Sequence, residues 1–161
     1  MLQIDRVKIE EKQTLRNLMQ LYKYDFSEYD PEDVDLFGLY DYPYLDYYFV
    51  EPDRFAYLIR IEGVLAGFVL VRYTGEVKEN IAVVEMVEYF ILKKFRRNRI
   101  GSKVAKIIFN KHEGYWKVAV LESNIDAFCF WKKVITELKG NDFQEKTEDE
   151  WNGKVFMFKN E

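Results

Sequence analysis

The stretch from Ile81 to Ala105 constrains the fold of this chain most, because three elements with different requirements follow one another without a break. Residues 81–92 are apolar on both faces of an extended strand, which predicts a central strand covered on both sides. Basic side chains crowd the next turn, and a helix with one apolar stripe begins close to Gly101. The first turn of a helix has unpaired N–H groups and the positive end of the helix dipole. The stretch therefore predicts a binding site for a phosphorylated ligand.

Hydrophobic periodicity along the whole chain predicts one mixed α/β domain that spans residues 1–161. The predicted strands are 2–9, 55–61, 64–73, 81–92, 115–121, 142–147 and 154–159. The predicted helices are 11–26, 99–111 and the segment that Asn124 opens and Gly140 ends. Glu62-Gly63 predicts a hairpin turn, and residues 74–80 are predicted to form a polar loop. Strand, helix and strand over 81–121 predict a right-handed crossover.

Composition excludes several classes of protein. The formal charge of −4 argues against nucleic-acid binding, and no apolar run approaches the roughly 18 residues that a membrane span needs. A single histidine, His112, and a single cysteine, Cys129, are too few for a Cys/His zinc site or an internal disulfide, so we expect no metal cofactor. His112 would complement a helix dipole, and Cys129 is expected to be a small core residue. The N-terminal residues lack the apolar core of a signal peptide, so we expect a cytoplasmic protein.

The segment 28–53 differs from the rest of the chain in charge and in backbone character. It carries nine acidic and eight aromatic residues, no Lys or Arg, and all three prolines of the chain. Proline and the residue before it resist helix, so we expect an irregular segment with short helical turns at most. Two interpretations stay open: a solvated acidic loop anchored by its aromatic rings, or one wall of a pocket that binds a cationic substrate through carboxylates and ring faces.

Two motifs, placed in the right elements and in the right order, resemble those of a known family. The first is Arg96-x-x-Arg99-Ile100-Gly101-x-x-x-Ala105, and the second is Asn124-x-x-Ala127-x-x-Phe130-Trp131-Lys132-Lys133. Together they resemble the GNAT superfamily of acyl-CoA-dependent N-acetyltransferases over essentially the whole chain. The resemblance implies an α/β fold (α+β mixed) with a central, mostly antiparallel twisted sheet of about seven strands flanked by about four helices.

The resemblance also implies that acetyl-CoA is the cosubstrate and that the predicted anion site binds its pyrophosphate. The end of the central strand would pair its backbone with the pantetheine arm as if the ligand were an extra strand. The implied cofactor-binding residues are Tyr89, Phe90, Ile91, Arg96, Arg97, Asn98, Arg99, Ile100, Gly101, Ser102 and Asn124. Arg99 departs from the family pattern, which has glycine there, and a positive φ at this position would make arginine costly.

Amine acetylation needs a general base close to the thioester, and two carboxylates lie in the strand that precedes the turn. Glu85 and Glu88 are three residues apart, so at most one of them can face the substrate. Some members of the family carry an acidic base eight residues before the first motif, which is the position of Glu88. We therefore predict Glu88 as the base, with Glu85 as the alternative. Many members have a tyrosine acid where this chain has Trp131, so the group that protonates the leaving thiolate stays open.

The predicted function is transfer of the acetyl group of acetyl-CoA, by direct attack, to the amine of an unidentified cationic small molecule or peptide. The alternative is a non-catalytic acyl-CoA-binding or interaction module that retains the fold, which Trp131 and Arg99 motivate. We expect no nucleic-acid or membrane partner. Edge strands and exposed aromatic residues are compatible with a homodimer.

Overall fold

The computed structural model describes all residues from Met1 to Glu161 and contains one seven-stranded sheet and four α-helices. The strands are β1 (Leu2–Arg6), β2 (Arg54–Ile61), β3 (Val64–Lys78), β4 (Ile81–Ile91), β5 (Gly114–Leu121), β6 (Gln144–Lys146) and β7 (Gly153–Asn160). The helices are α1 (Lys12–Phe26), α2 (Tyr47–Val50), α3 (Ile100–Lys111) and α4 (Ile125–Lys139). None of these helices combines the length and the apolar character that crossing a membrane requires.

The strands follow the order β1-β2-β3-β4-β5-β7-β6 across the sheet. β1 with β2, β5 with β7, and β6 with β7 are antiparallel pairs. β4 and β5 are parallel, with Val83 opposite Tyr115 and Glu85 opposite Lys117. Parallel neighbours need a crossover connection, and α3 supplies it, as the sequence predicted. The mixed α/β class with a mostly antiparallel sheet is therefore confirmed.

Two compact units can be distinguished, one formed by Met1–Leu70 with Glu88–Leu92 and the other by Val71–Val87 with Lys93–Glu161. In the first unit, α1 buries Leu15, Leu18 and Met19 at the three- and four-residue spacing of one helix face. The buried strand residues of this unit include Leu58, Ile59, Phe68 and Phe90. The apolar stripe that the sequence shows on residues 11–26 is thus the face that builds this core.

Aromatic rings dominate the core of the second unit. Phe109 of α3 meets Trp116 of β5 and Phe158 of β7 edge-on, with ring centroids 4.8 and 4.9 Å apart. Trp131 of α4 lies 5.9 Å from the same Phe109 ring. Edge-on pairs at these distances are the favoured aromatic geometry, so these rings hold α3 and α4 on their strands.

The hairpin between β3 and β4 is tighter than predicted. β3 runs to Lys78, so the prediction of a polar loop over 74–80 is wrong. Only Glu79 and Asn80 form the turn, with φ of 53° and 65°. Two successive positive φ values match the right-handed twist of the flanking strands, so the polar residues before the turn remain in the strand.

β1 is shorter than the predicted strand over 2–9 and ends at Arg6. The chain then forms a 3-10 turn at Ile9–Glu11, in which the Glu11 carboxylate accepts the Lys8 N–H at 3.1 Å. The same carboxylate pairs with Arg60 of β2 at 2.6 Å. These contacts turn the chain out of the sheet early and start α1.

The single cysteine does not lie as predicted, whereas the single histidine lies at a helix end, as expected. Cys129 is exposed on α4, so its assignment to the core is wrong. The buried stripe of that helix falls on Trp131 and Val134 instead, and a residue two positions before Trp131 points away from that stripe. His112 is the C-cap of α3 and is buried, with its ring 5.8 Å from Tyr73. Packing against neighbouring rings accounts for its position.

Candidate active site

Glu85, the first of the two glutamates of β4, is engaged within the sheet. Its Oε2 accepts a hydrogen bond from Nη2 of Arg72 on β3 at 2.7 Å. A charge-assisted bond of this kind is among the stronger contacts that a carboxylate can make. The charge of Glu85 is thereby balanced by Arg72 within the sheet.

Glu88, three residues further along β4, is half-buried and has different surroundings. Its charge acts on the Tyr22 hydroxyl of α1 and helps to raise the pKa of that tyrosine. The charge of Glu88 also acts on Tyr42, which lies in the segment 28–53. A carboxylate has about four acceptor positions, so it leaves room for a donor such as an amine.

Aromatic contacts fix the position of Tyr22. Its ring stacks on Phe26 at 5.7 Å, meets Phe68 of β3 edge-on at 5.6 Å and lies 5.5 Å from Phe90. Phe90 follows Glu88 by two residues, and alternate residues of a strand point to the same face. Tyr22, whose ring contacts Phe90, therefore lies on the face of β4 to which the Glu88 side chain points.

Both tyrosines remain protonated in this environment. Burial raises the pKa of Tyr22 well above its ordinary value of 10.0, and the Glu88 charge raises it further, with a smaller effect from Asp30. Burial and then the Glu88 charge also raise the pKa of Tyr42, against the opposing effect of Arg54. Since a tyrosine with a raised pKa keeps its proton at neutral and moderately alkaline pH, both hydroxyls act as hydrogen-bond donors.

Side chains of α1 anchor the segment 28–53. The Gln20 amide contacts the Tyr40 backbone at two points: Nε2 donates to the carbonyl oxygen at 2.7 Å, and Oε1 accepts the N–H at 2.8 Å. Two ion pairs add to this contact, Lys12–Asp46 at 2.7 Å and Lys23–Glu32. The only regular helix in the segment is the four-residue α2, so the expectation of short helical turns is confirmed.

Several carboxylates of this segment serve the segment itself. Asp35 accepts the backbone N–H groups of Phe37 at 2.8 Å and Leu39 at 3.0 Å. Asp30 accepts the N–H of Glu32 at 3.0 Å. These turns and the ion pairs to α1 thus engage several of the acidic side chains of the segment. The acidic charge left to attract a cation is smaller than the composition suggests.

The turn between β4 and α3 has an alternating backbone. Arg97 has a φ of 68° and Arg99 a φ of 61°, while Asn98 between them has negative φ. Arg99 is the left-handed N-cap of α3, and no side chain caps this helix end. Alternation of this kind turns successive N–H groups into one concavity, a geometry that binds anions. Arg97, Asn98 and Arg99 are exposed, whereas Arg96 is half-buried.

Arg99 has the left-handed backbone conformation that glycine adopts most readily. A side chain in the left-handed region costs roughly 1 kcal/mol relative to glycine, so Arg99 strains the turn. The charge of its guanidinium also acts on Glu137 of α4. The hydrogen bond from Lys106 is the main cause of the lowered pKa of Glu137, and the charge of Arg99 lowers this pKa further.

Asn124 and Trp131, from the second motif, have clear structural roles. Asn124 is the N-cap of α4, and its Oδ1 accepts the Ala127 N–H at 3.1 Å; a cap of this kind stabilises a helix by about 1 kcal/mol. Trp131 is buried, with its ring 4.9 Å from Phe130 and 5.9 Å from Phe109. The indole N–H is far too weak an acid to protonate a thiolate, so this position supplies packing and not an acid.

The direction of the β4 backbone distinguishes the residues at the end of the strand. The Leu92 N–H donates to the Ala66 carbonyl of β3 at 2.8 Å. Peptide groups of successive residues point to opposite edges of a strand, so Phe90, two residues before Leu92, also faces β3. Tyr89 and Ile91 turn their N–H and C=O groups to the other edge.

Gly67 marks a close approach of β3 to this part of β4. A Cβ at Gly67 would lie 2.0 Å from the Phe90 carbonyl oxygen and 3.1 Å from the Ile91 Cα. Only a residue without a side chain fits such a contact. Gly67 therefore helps to fix the backbone that carries Glu88.

Comparison with known families decides the class of the protein. The family model of the GNAT acetyltransferases matches residues 14–134. The chain belongs to the GNAT acetyltransferase family. None of the curated proteins matches it in sequence.

Solved structures share the GNAT fold over nearly the whole chain. An acetyltransferase from Thermus thermophilus has a TM-score of 0.72 at 15% identity and covers 99% of this chain and 97% of its own. A GNAT-family acetyltransferase from Staphylococcus aureus has a TM-score of 0.68 at 14% identity, with 99% of each chain covered. The PaiA N-acetyltransferase from Thermoplasma acidophilum in complex with coenzyme A has a TM-score of 0.61 at 16% identity, again with 99% of each chain covered. These likenesses confirm the GNAT fold, and membership of the family supports acyl transfer and acyl-CoA binding in general terms.

Sequence reasoning missed one residue of the site. The helical spacing places Tyr22 on the core-facing stripe of α1, yet the charge of Glu88 acts on its hydroxyl. A tyrosine within an otherwise apolar stripe is a usable signal, because its hydroxyl needs a partner when it is buried. The sequence could not show that Glu88 lies close to it, since Glu88 belongs to a distant strand.

Proposed function

We propose that this GNAT-family chain is an acetyl-CoA-dependent N-acetyltransferase with Glu88 as its general base. The half-buried Glu88 carboxylate is the observation that carries the proposal. Its charge acts on the Tyr22 hydroxyl, whereas the competing Glu85 is paired with Arg72. A half-buried carboxylate is costly unless it is hydrogen-bonded or serves a site, and a base is needed close to the strand end where the family binds the thioester.

Acetyl-CoA is proposed to bind along the end of β4 and at the turn before α3. Tyr89 and Ile91 would pair with the pantetheine arm, because their peptide groups face away from β3, whereas Phe90 turns its backbone to β3. The pyrophosphate would accept N–H groups from residues 97–102, at the N-terminus of α3. Asn124 would contact the arm through its NH₂ group, since its Oδ1 caps α4. The basic side chains proposed to reach the phosphates are Arg96, Arg97, Arg99 and Lys103.

In the proposed reaction the acceptor arrives as an ammonium ion, because free amines have pKa values well above 7. Glu88 accepts one proton from it, directly or through a water molecule. The nitrogen lone pair then attacks the thioester carbonyl carbon, the nitrogen gives up its second proton to water, the C–S bond breaks, and coenzyme A leaves as a thiolate. With Trp131 in the core, the thiolate takes its proton from water or from a tyrosine hydroxyl, and Glu88 returns its proton to solvent.

The proposed acceptor is a cationic amine of a small molecule or a peptide. The carboxylate of Glu88 and the electron-rich face of Tyr42 favour a cation next to the base. Many acids of the segment 28–53 are used in turns and ion pairs. Recognition of the acceptor would therefore depend on ring faces more than on a large negative charge.

Glu88→Gln tests the proposal with purified protein, acetyl-CoA and a broad panel of amines, and release of free thiol is the readout. We expect the rate to fall by about 100-fold or more, the usual contribution of a general base. Glu85→Gln is the matched control, because glutamine can still accept the Arg72 hydrogen bond, and it should keep most of the activity. An unchanged rate for Glu88→Gln would rule out this base. Coenzyme A binding with no thiol release for any amine, from neutral to alkaline pH, would instead support the non-catalytic acyl-CoA-binding module.

A further inference from the structure

We propose that the turn formed by residues 34–39 is a docking surface for another polypeptide, one that carries apolar side chains flanked by lysine or arginine. The turn lies in the segment 28–53, directly before Tyr40. The inference concerns the binding of a partner, so it goes beyond the proposed acetyl transfer and does not depend on Glu88.

Large apolar side chains are exposed to solvent in this turn. Leu36 is fully exposed, Phe37 is 87% exposed, and Val34 and Leu39 on either side are exposed as well. Tight turns are usually built from small or polar residues. Single exposed apolar residues are ordinary, but four of them within six successive positions form a patch. On soluble proteins, patches of this kind mark interaction surfaces.

The backbone of the turn is held by its own hydrogen bonds. The Asp35 N–H donates to the Leu39 carbonyl oxygen at 2.9 Å, and the Gly38 N–H donates to the Asp35 carbonyl oxygen at 3.0 Å. The Asp35 carboxylate accepts the N–H groups of Phe37 and Leu39 at 2.8 and 3.0 Å. Leu36 and Phe37 are therefore presented by an ordered backbone, which lowers the entropic cost of binding through them.

The charge around the turn indicates which partner fits it. Asp33, Asp35 and Asp41 are exposed within the turn or next to it, and residues 28–53 contain no Lys or Arg. The α1 lysines that pair with this segment bind acidic side chains at other positions. A partner with lysine or arginine around an apolar stripe would therefore match the turn in charge as well as in apolar surface.

Two other occupants match this surface less well. A second copy of the chain that met the same turn across a two-fold axis would place these acids opposite one another, and like charges across an interface are costly. A membrane surface with anionic lipids would repel the same acids. The charge thus favours a cationic polypeptide over both.

Binding of a synthetic peptide to the purified protein tests the proposal. The probe is a fluorescently labelled amphipathic helix with a stripe of leucine between rows of lysine, and fluorescence anisotropy measures its affinity. Two control peptides have the same length. One has serine in place of every leucine and keeps the charge, and the other has glutamate in place of every lysine and keeps the apolar stripe. We expect only the peptide with both features to bind, and its binding to shift the amide NMR signals of residues 34–39.

The variant Leu36→Ser/Phe37→Ser removes the apolar patch and keeps the charge. It should weaken binding of the leucine–lysine peptide by about 30-fold or more, because two apolar anchors are lost from the contact. Val64→Ser is the matched control, since Val64 is exposed at the start of β3, and it should bind as wild type does. Both variants should unfold at the wild-type temperature, because exposed substitutions change stability little.

The possible outcomes are separable. Failure of the leucine–lysine peptide to bind, or equal binding to wild type and to Leu36→Ser/Phe37→Ser, overturns the proposal. Equally tight binding of the serine control peptide also overturns it, because charge alone would then suffice. If the double substitution abolishes self-association in sedimentation, the occupant is a second copy; if it abolishes binding to phosphatidylcholine vesicles, the occupant is a membrane. Either result excludes the polypeptide partner. None of these measurements uses acetyl-CoA, so their failure leaves the proposed acetyl transfer unaffected.

Discussion

Replacement of Gly67 by alanine would measure how closely β3 approaches the backbone that carries the proposed base. The new Cβ would lie 2.0 Å from the Phe90 carbonyl oxygen. Gly67 does not have a left-handed φ, so alanine can adopt its backbone conformation. The whole penalty therefore comes from the contact.

The magnitude follows from the distances. Real Cβ contacts are longer than 3.0 Å, so the two strands would have to separate by about 1 Å from their usual spacing of about 4.8 Å. The Leu92–Ala66 hydrogen bond, 2.8 Å long, would then exceed the length at which such bonds remain effective. Loss of one or two buried hydrogen bonds, together with the overpacking, should cost about 3 kcal/mol. In a domain of this size the melting temperature should fall by about 10 °C.

Thermal unfolding of Gly67→Ala beside Gly38→Ala is the assay. Gly38 has a φ of 75° and no atom close to a new Cβ, so its variant reports backbone strain alone, about 1 kcal/mol. If Gly67→Ala melts no lower than Gly38→Ala, the spacing of β3 and β4 is not set by this contact and the reasoning is wrong.

Two further predictions concern charged residues. Arg99→Gly should raise the free energy of unfolding in urea by about 1 kcal/mol because it relieves the left-handed backbone, whereas Arg99→Ala should not; equal stability of the two variants would contradict this. The hydrogen bond from Lys117 lowers the pKa of Glu148 below its ordinary value of 4.5. The ionised Glu148 therefore stabilises the fold above pH 4.5, and this stabilisation is lost as the pH falls through the pKa that Glu148 has in the folded protein. Lys117→Met should therefore weaken the loss of stability below about pH 5, which acid titration of the melting temperature measures.

The sequence was informative wherever the cause of a structure is local. The apolar run of β4, the stripe of α3 and the Asn124 cap each depend on neighbouring residues, so periodicity and motif spacing were enough to find them. The motif also pointed to the backbone of Arg99, whose φ is left-handed, because the position is one where relatives have glycine.

Predictions failed where the cause is not local. Residues 74–78 look polar, yet the positive φ values at Glu79 and Asn80 keep them in β3. Cysteine is often a core residue, but Trp131 lies on the buried face of α4 and Cys129 does not. Tyr22 lies close to Glu88 only because α1 lies on the strands, and one sequence does not show which helix face meets which strand.

The attachment of the segment 28–53 to α1 has a consequence for protein engineering. Gln20 binds the Tyr40 backbone, and Lys12 and Lys23 bind acidic side chains of the segment. A chimera that exchanged the loop alone would leave the Gln20 amide and two lysines facing a foreign chain. One that exchanged helix and loop together, residues 12–53, would keep both halves of every contact between them. A chimera designed to change acceptor preference should therefore exchange α1 together with the segment 28–53.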